Sequence, residues 1–499
     1  MPPPNVKGWR ERKGGSGDQT FVNAWGTGMG WIRAGAPVLL AAAGLAVTGQ
    51  CAMAAPPGVD AASMSAWWIV PFVGILLSIA LFPLMAPHFW HKRYGLVSLF
   101  WGLALLIPFT IQFGLPAAAD SLAHTMLTEY IPFIILIGTL FTVSGGIFLK
   151  GNLHGGPRLN TTIMVIGMVL ASFAGTTGAS MILIRPLIRA NDDRRHNAHV
   201  FVFYIFLVSN IGGALTPIGD PPLFLGYLQG VRFLWPLENL WLKTLFVAAI
   251  VLAVFFIIDL YLYRREGRVR PDPTPDARIS LEGLVNLVLL GGVIAAVAFS
   301  GSVDMGRTTV LGVDLSIAGL IRDGVLIVIT LASLALTPKT VREQNEYSWG
   351  PAIEVAKLFA AIFVTIIPVL AILRAGQAGS FGPLFTLLGT DAPNPLAYFW
   401  LTGTLSSFLD NAPTYLVFYY AAGGDAQVLM GPLAQTLAAI SAGAVFMGAM
   451  TYIGNAPNFM VKAIAESRGI KMPSFFGYMA WSFAILLPVF VALSLLFFR

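Results

Sequence analysis

The stretch SNIGGALTPIGDPPLF, residues 209–224, decides how the rest of the chain is read. It lies inside an apolar run that begins near Val200, and a helix cannot cross it intact. Three glycines, three prolines and Asp220 fall within the eleven residues 212–222. A single internal proline costs a helix about 3 kcal/mol. Backbone groups freed at that depth in hydrocarbon need partners, so such a break lines a cavity or holds a ligand. The stretch also has an echo. Residues 213–222, GALTPIGDPP, and residues 448–457, GAMTYIGNAP, agree at six of ten positions at an offset of 235. The same offset pairs Ser172-Phe173 with Ser407-Phe408, which precede GTTGA and DNAPT. One offset fitting two separate motifs indicates an internal duplication. Each copy carries a polar interruption followed by a broken span, the sequence pattern of a secondary transporter's binding site.

Composition agrees with a membrane setting. Of 499 residues, 56% are hydrophobic and 11% charged, against roughly 25% charged in soluble domains. The chain therefore reads as an all-α polytopic membrane protein. Its net charge of +6 is assigned to cytoplasmic loops and not to nucleic acid. The one cysteine, Cys51, excludes an internal disulfide framework and a cysteine-built metal site, and the six histidines show no metal-ligand spacing.

Taken in order, residues 1–55 read as a basic N-terminal segment and signal peptide, with an uncleaved leading transmembrane helix as the alternative. Arg33 precedes an apolar run at 37–47 and the small residues around Ala52-Met53-Ala54, with Met1 or Met29 as the start. Residues 56–94 hold a first transmembrane helix. A first repeat covers 95–264, with a re-entrant helical hairpin at 161–190 and a broken helix at 198–232. A cytoplasmic linker follows at 265–279. Residues 280–499 hold a further helix and the second repeat, with a hairpin at 394–421 and a broken helix at 433–468. Each hairpin arm is expected to be too short to cross, since spanning takes about 20 residues. Ten crossings follow the signal, about 10–11 transmembrane helices in all.

Loop charge orients these spans. The basic groups His91-Lys92-Arg93, Arg194-Arg195, Arg264-Arg265, Lys339 with Arg342, and Lys462 with Arg468 fall on one face. The loops at 118–129, 301–314 and 375–393 carry few basic residues or none. Basic loops lie in the cytoplasm, so the mature N-terminus lies outside the inner (plasma) membrane. Five crossings then separate the hairpin tips, an odd number, which makes the two repeats inverted. Trp67, Trp68, Trp90 and Trp235 read as interface belt residues.

Within each half the hairpin tip is expected to face the following break. The first half offers Thr176, Thr177, Ser209, Asn210, Thr216 and Asp220. The second offers Ser407, Asp410, Asn411, Thr414, Thr451, Asn455 and Asn458. Their hydroxyl, amide and freed carbonyl oxygens are hard ligands suited to sodium, and half-helix ends add their dipoles. A carboxylate at membrane depth is costly and marks function by default. Burial favours its neutral form and a bound cation its charged form, so Asp220 or Asp410 can exchange a proton for sodium. The plainer role for either is capping a half-helix. Arg185, nine residues past Thr176 and so about 13 Å along a helix, reads either as a snorkelling side chain or as a charge partner for a first-half carboxylate. Arg322-Asp323 reads as a structural pair. No nucleotide-binding loop is visible, so the expected coupling ions are sodium and proton, with no organic cofactor.

At SNIGGALTPIGDPP (209–222), SFLDNAPT (407–414) and TYIGNAPNF (451–459) the chain resembles the ion transporter superfamily. Within it, the resemblance is to D-type sodium/proton antiporters and their citrate-transporter and arsenite-permease relatives, over roughly residues 90–499. The resemblance implies an inverted-repeat fold, a homodimer, and a transport region that moves like an elevator against a scaffold. Sodium-coupled dicarboxylate symporters share this plan, but their Ser-Asn-Thr tip motif is absent here, where the tips read GTTG and DNAPT. A carboxylate substrate would meet Asp410 with repulsion unless a cation intervened. Sodium/proton antiport is thus the leading expectation, with cation-coupled citrate or organic-anion transport as the alternative. Arsenite or other oxyanion efflux and intramembrane aspartyl proteolysis are minor ones. The protease pattern Gly-x-Gly-Asp is not met, since Pro217-Ile218-Gly219 precedes Asp220, and no enzymatic activity is expected.

Overall fold

The computed structural model describes residues 64–151, 153–266, 279–389 and 393–499. The expected signal segment and most of the 265–279 linker lie outside the described residues. The described residues begin with a 3-10 turn and α1 (Val70–Met85), α2 (Pro87–Phe113) and α3 (Leu115–Thr125). A π turn at Met126–Tyr130 leads into α4 (Ile131–Ser144). The strand β1 (Phe148–Lys150) precedes a hairpin of α5 (Pro157–Ala174) and α6 (Thr176–Ala190). Then come α7 (Ala198–Leu207), a 3-10 turn at Ile211–Leu215, α8 (Pro221–Leu228) and the 32-residue α9 (Trp235–Glu266).

The second half begins with β2 (Ser280–Glu282), which pairs antiparallel with β1, and α10 (Val285–Ser302). A ribbon of β3 (Arg307–Val310) and β4 (Val313–Ser316) leads to α11 (Ile317–Leu336) and α12 (Lys339–Gln344). Next are α13 (Gly350–Thr365) and α14 (Ile367–Arg374), bent by 40° at their junction, and the short α15 (Gly382–Leu388). The second hairpin is α16 (Pro395–Phe408) and α17 (Asn411–Ala421). After α18 (Ala426–Met430) come α19 (Ala434–Met447), a 3-10 turn at Gly448–Met450, α20 (Ala456–Ser467) and α21 (Phe475–Phe497). Among the described residues nine helices are long and apolar enough to cross a membrane, ten if the bent pair is one span. The protein is an all-α polytopic membrane protein, with two short ribbons of sheet among the described residues.

The offset of 235 relates local structure as well as letters. In each half a helix ends in a 3-10 turn, passes an extended threonine (Thr216, Thr451), and restarts after an extended Asp220 or Asn455. Close approach of the backbone at each break requires glycine. A Cβ on Gly219 would lie 2.2 Å from Gly213 O, and one on Gly454 2.6 Å from Gly448 O. The helices flanking the breaks on one side, α7 and α19, are mostly apolar and buried along nearly their whole length, as such helices must be.

Both hairpins return to their starting point. Gly155 N–H donates to Ala190 O at 2.5 Å, and Tyr398 Oη donates to Ala421 O at 3.0 Å. At the first tip, Gly175 takes φ +77°, which favours glycine. The first arm differs from the sequence expectation. With Pro157 setting its first turn, α5 has 18 residues, about 27 Å, and is long enough to cross. Its partner turns back all the same. The mouths of the hairpins bond to different segments, the first to α9 and the second to the turn that precedes it. At the first mouth, Asn160 and Arg194 bond Asp259 near the end of α9 at 3.0 and 2.5 Å. At the second, Tyr420 Oη donates to Gln229 Oε1 at 2.6 Å, six residues before α9 starts. Two of the four tryptophans expected at the interface are buried instead: Trp235, and Trp90, whose Nε1 donates to Glu354.

Candidate functional site

Asp220 sits where the two halves meet. Its carboxylate is 1% exposed and accepts three hydrogen bonds from three different elements. Thr176 Oγ1, at the first hairpin tip, donates to Oδ1 at 2.8 Å. Asn455 Nδ2, at the second break, donates to the same oxygen at 3.1 Å. Asn411 Nδ2, at the second hairpin tip, donates to Oδ2 at 2.5 Å. All four of these residues stand at the N-terminus of a half-helix, namely α6, α8, α17 and α20. Their partial positive charges face a carboxylate that has no basic side chain among its bonded partners.

The prolines explain why Asp220 is available. An aspartate at the N-cap position ordinarily accepts from the N–H groups of the first helical turn. Pro221 and Pro222 remove two of those donors, and the Leu223 N–H goes to the Asp220 backbone carbonyl. The Asp220 side chain therefore makes no cap and turns into the site. Asp410 behaves the other way. Its Oδ1 accepts from Ala412 N–H at 3.0 Å, so it caps α17. Of the two plainer readings, capping thus describes the Asp410 side chain and not that of Asp220.

Further amides bridge the same junction behind Asn455. Asn210 Nδ2 donates to Asn458 Oδ1 at 2.7 Å and to Ile205 O at 2.8 Å. Asn455 Nδ2 also lies 3.2 Å from Asn210 Oδ1 and from the Ser209 carbonyl. Asn458 Nδ2 donates to Gly448 O and Thr451 O at the second break. The Ser209 hydroxyl pairs with Ser180 at 2.8 Å. Asn411 Oδ1 is buried with no hydrogen-bond partner.

The other hydroxyls named from the sequence hold each hairpin to its own break. Thr216 Oγ1 donates to Ser172 O, and Thr451 Oγ1 donates to Ser407 O at 2.5 Å. Ser407 Oγ donates to Gly403 O and Met447 O, and Thr414 Oγ1 to Asp410 O. Thr177 is half-buried and lines a cavity of about 40 Å³ beside Asp220. Phe133, Leu136 and Leu140 of α4 form its apolar wall. That wall carries no motif, and nothing in its letters separates it from other membrane-buried aliphatic surface. Arg185 bonds neither Asp220 nor Asp410: its partner is Glu346, at 3.4 Å. Nine residues of helix carry it past the tip, so a loop carboxylate near the hairpin mouth is nearer. Arg322 and Asp323 pair with each other at 2.8 Å.

Two returning hairpins, two glycine-lined breaks and a buried polar junction between them define a multi-pass membrane transporter. The chain belongs to the family described as "Putative citrate transport", whose model matches residues 61–498. It is similar to the 46 kDa membrane protein of Mycobacterium leprae, 25% identical over 63% of this chain and 71% of that protein. It is also similar to uncharacterized transporters of Mycobacterium bovis and Mycobacterium tuberculosis, each 24% identical over 69% of this chain and 77% of theirs.

Proposed function

We propose that the protein is a secondary transporter that exchanges sodium for protons at Asp220. The observation that carries this reading is a carboxylate, buried at the meeting of four half-helices, whose hydrogen-bond partners are all neutral. Such a group holds either a proton or a small cation, and occupancy by one displaces the other. Thr176 and Asn455 orient Oδ1. Asn411 can serve both states: its Nδ2 donates to the ionised carboxylate, and its free Oδ1 accepts from the protonated one after an amide flip. The adjacent cavity, about 40 Å³ and mostly apolar in lining, reaches the carboxylate at Thr176, Thr177 and Asp220.

The repeats are inverted in this reading, with the first hairpin opening to the cytoplasm and the second to the outside of the plasma membrane. The bonds of the first mouth to Asp259, near the end of α9, and of the second to Gln229, ahead of its start, support that arrangement. A homodimer in which the hairpins and breaks move together against a scaffold completes the proposal. Cysteines placed at Lys339 and Gly306, in a chain lacking Cys51, test the orientation: the first should label only from the cytoplasm and the second only from outside.

A second reading is cation-coupled transport of citrate or another organic anion. The family's description and the four converging N-termini favour it, since such ends suit anionic groups. Everted vesicles from a host without its own antiporters distinguish the two. Addition of sodium or lithium should collapse an imposed proton gradient, and Asp220→Asn should abolish the collapse. Sodium-dependent uptake of labelled citrate without that collapse would favour the second reading.

A further inference from the structure

We propose that Arg185, Arg468 and Arg189 form an anion-binding site at the mouth of the first hairpin for a molecule bearing two or more carboxylates, and that Glu346 occupies it here as an internal substitute. Arg185 is 7% exposed. Its Nη2 donates to Glu346 Oε2 at 3.4 Å, while its Nε and Nη1 are buried with no hydrogen-bond partner. A buried guanidinium with most of its fork unmet is costly, and one long, single-point contact does not saturate it. Arg468, just past α20, donates to the other oxygen of the same carboxylate. Arg189, one turn along α6, adds like charge beside both, with its own donors on Leu149 O and Gly151 O. Three guanidinium groups therefore gather around Glu346, which contacts two of them directly, with Asp192 as a further acidic group beside Arg189.

Glu346 reaches this position on a rigid platform. Asn345 Nδ2 donates to Gly145 O and Ile147 O at 3.0 and 2.7 Å, fixing the loop between α12 and α13 to the end of α4. Glu346 itself takes φ +48°, a left-handed conformation unusual for a long side chain. The strain is consistent with a residue held for where its carboxylate goes. Because the side chains of Glu346 and Arg468 are about half exposed, at 53% and 50%, an incoming anion has access to displace Glu346. A planar carboxylate can engage the Arg185 fork at two points, which Glu346 does not. A second carboxylate on the same molecule answers the remaining positive charge.

Calorimetric titration of the detergent-purified full chain with citrate, succinate and inorganic phosphate tests the site. The titration is run without sodium, so exchange at Asp220 can hold or fail independently. Citrate should bind the wild type, and Glu346→Gln should tighten it about tenfold by removing the internal competitor. Arg185→Lys, which keeps the charge but loses the fork, should weaken citrate about tenfold or more. Arg468→Ala, at a half-exposed position that tolerates truncation, should do the same and decides the matter if the Arg185 variant does not fold. Three results would overturn the proposal: no citrate binding by wild type or Glu346→Gln up to about 10 mM, equal affinities in Glu346→Gln and Arg468→Ala, or phosphate binding as tight as citrate.

Discussion

Replacing Asp220 by asparagine separates charge from shape at the centre of the site. The amide oxygen can stand in for Oδ1 and keep the donors Thr176 Oγ1 and Asn455 Nδ2, now at 2.8 and 3.1 Å. The new amide nitrogen then faces Asn411 Nδ2, 2.5 Å from the present Oδ2. Two donors cannot share that contact, but Asn411 has an unpartnered Oδ1 and relieves it by turning its amide over. Three hydrogen bonds to a charged group become bonds to a neutral one, a loss of about 1 kcal/mol each. The buried charge disappears at the same time, which offsets much of that loss, so the fold should survive. Sodium binding should not. A unit charge pair about 4 Å apart at an effective dielectric near 20 contributes about 4 kcal/mol, roughly a thousandfold in affinity. Sodium titration of thermal stability in detergent measures both quantities. The reasoning is refuted if Asp220→Asn binds sodium within about threefold of the wild type, or if it cannot be purified folded while Asp220→Ala can.

Other consequences follow from the same geometry. Asp410→Ala should cost about 1 kcal/mol through the lost cap of α17, whereas Asp410→Asn should keep both stability and sodium binding; thermal melts and sodium titration of the two variants check this. Gly219→Ala forces a Cβ to 2.2 Å from Gly213 O, and size-exclusion profiles should show loss of folded protein, with Gly454→Ala milder at 2.6 Å. Asp259→Ala strips Arg194, His199 and Asn160 of a shared partner and should cost about 3–5 kcal/mol in chemical unfolding. Since proton and sodium compete for one carboxylate, the apparent sodium Kd should fall about tenfold per pH unit while Asp220 is protonated, then level off as pH rises further.

Much of this architecture can be read from letters because its causes are local. Glycines and prolines at 212–222 forbid a continuous helix, and the offset of 235 marks the matching break. Thr216 and Thr451 look like ligands in the sequence, yet each fastens a break to its hairpin, because a hydroxyl beside freed carbonyls bonds the nearest one. The different fates of Asp220 and Asp410 are also local: Pro222 removes the N–H at the position where Ala412 supplies one to Asp410, and the Leu223 N–H goes to the Asp220 backbone carbonyl. What crosses between halves is not legible. A repeat says that Asp220 and Asn455 are equivalent, but not that Asn455 and Asn411 reach over to Asp220. Nor does it place Glu346 beside Arg185, 161 residues away. Trp90 and Trp235 show the same limit, since an aromatic at a helix end is read as an interface anchor until the packing around it is known.

The most direct test is proton release on sodium binding. Purified wild-type protein in weakly buffered detergent solution, with a pH indicator present, is mixed with sodium chloride and, as a control, choline chloride. The account expects sodium alone to release protons from the wild type and from Asp410→Asn, and none from Asp220→Asn. Undiminished release from Asp220→Asn, or no release from wild-type protein that binds sodium, would contradict it.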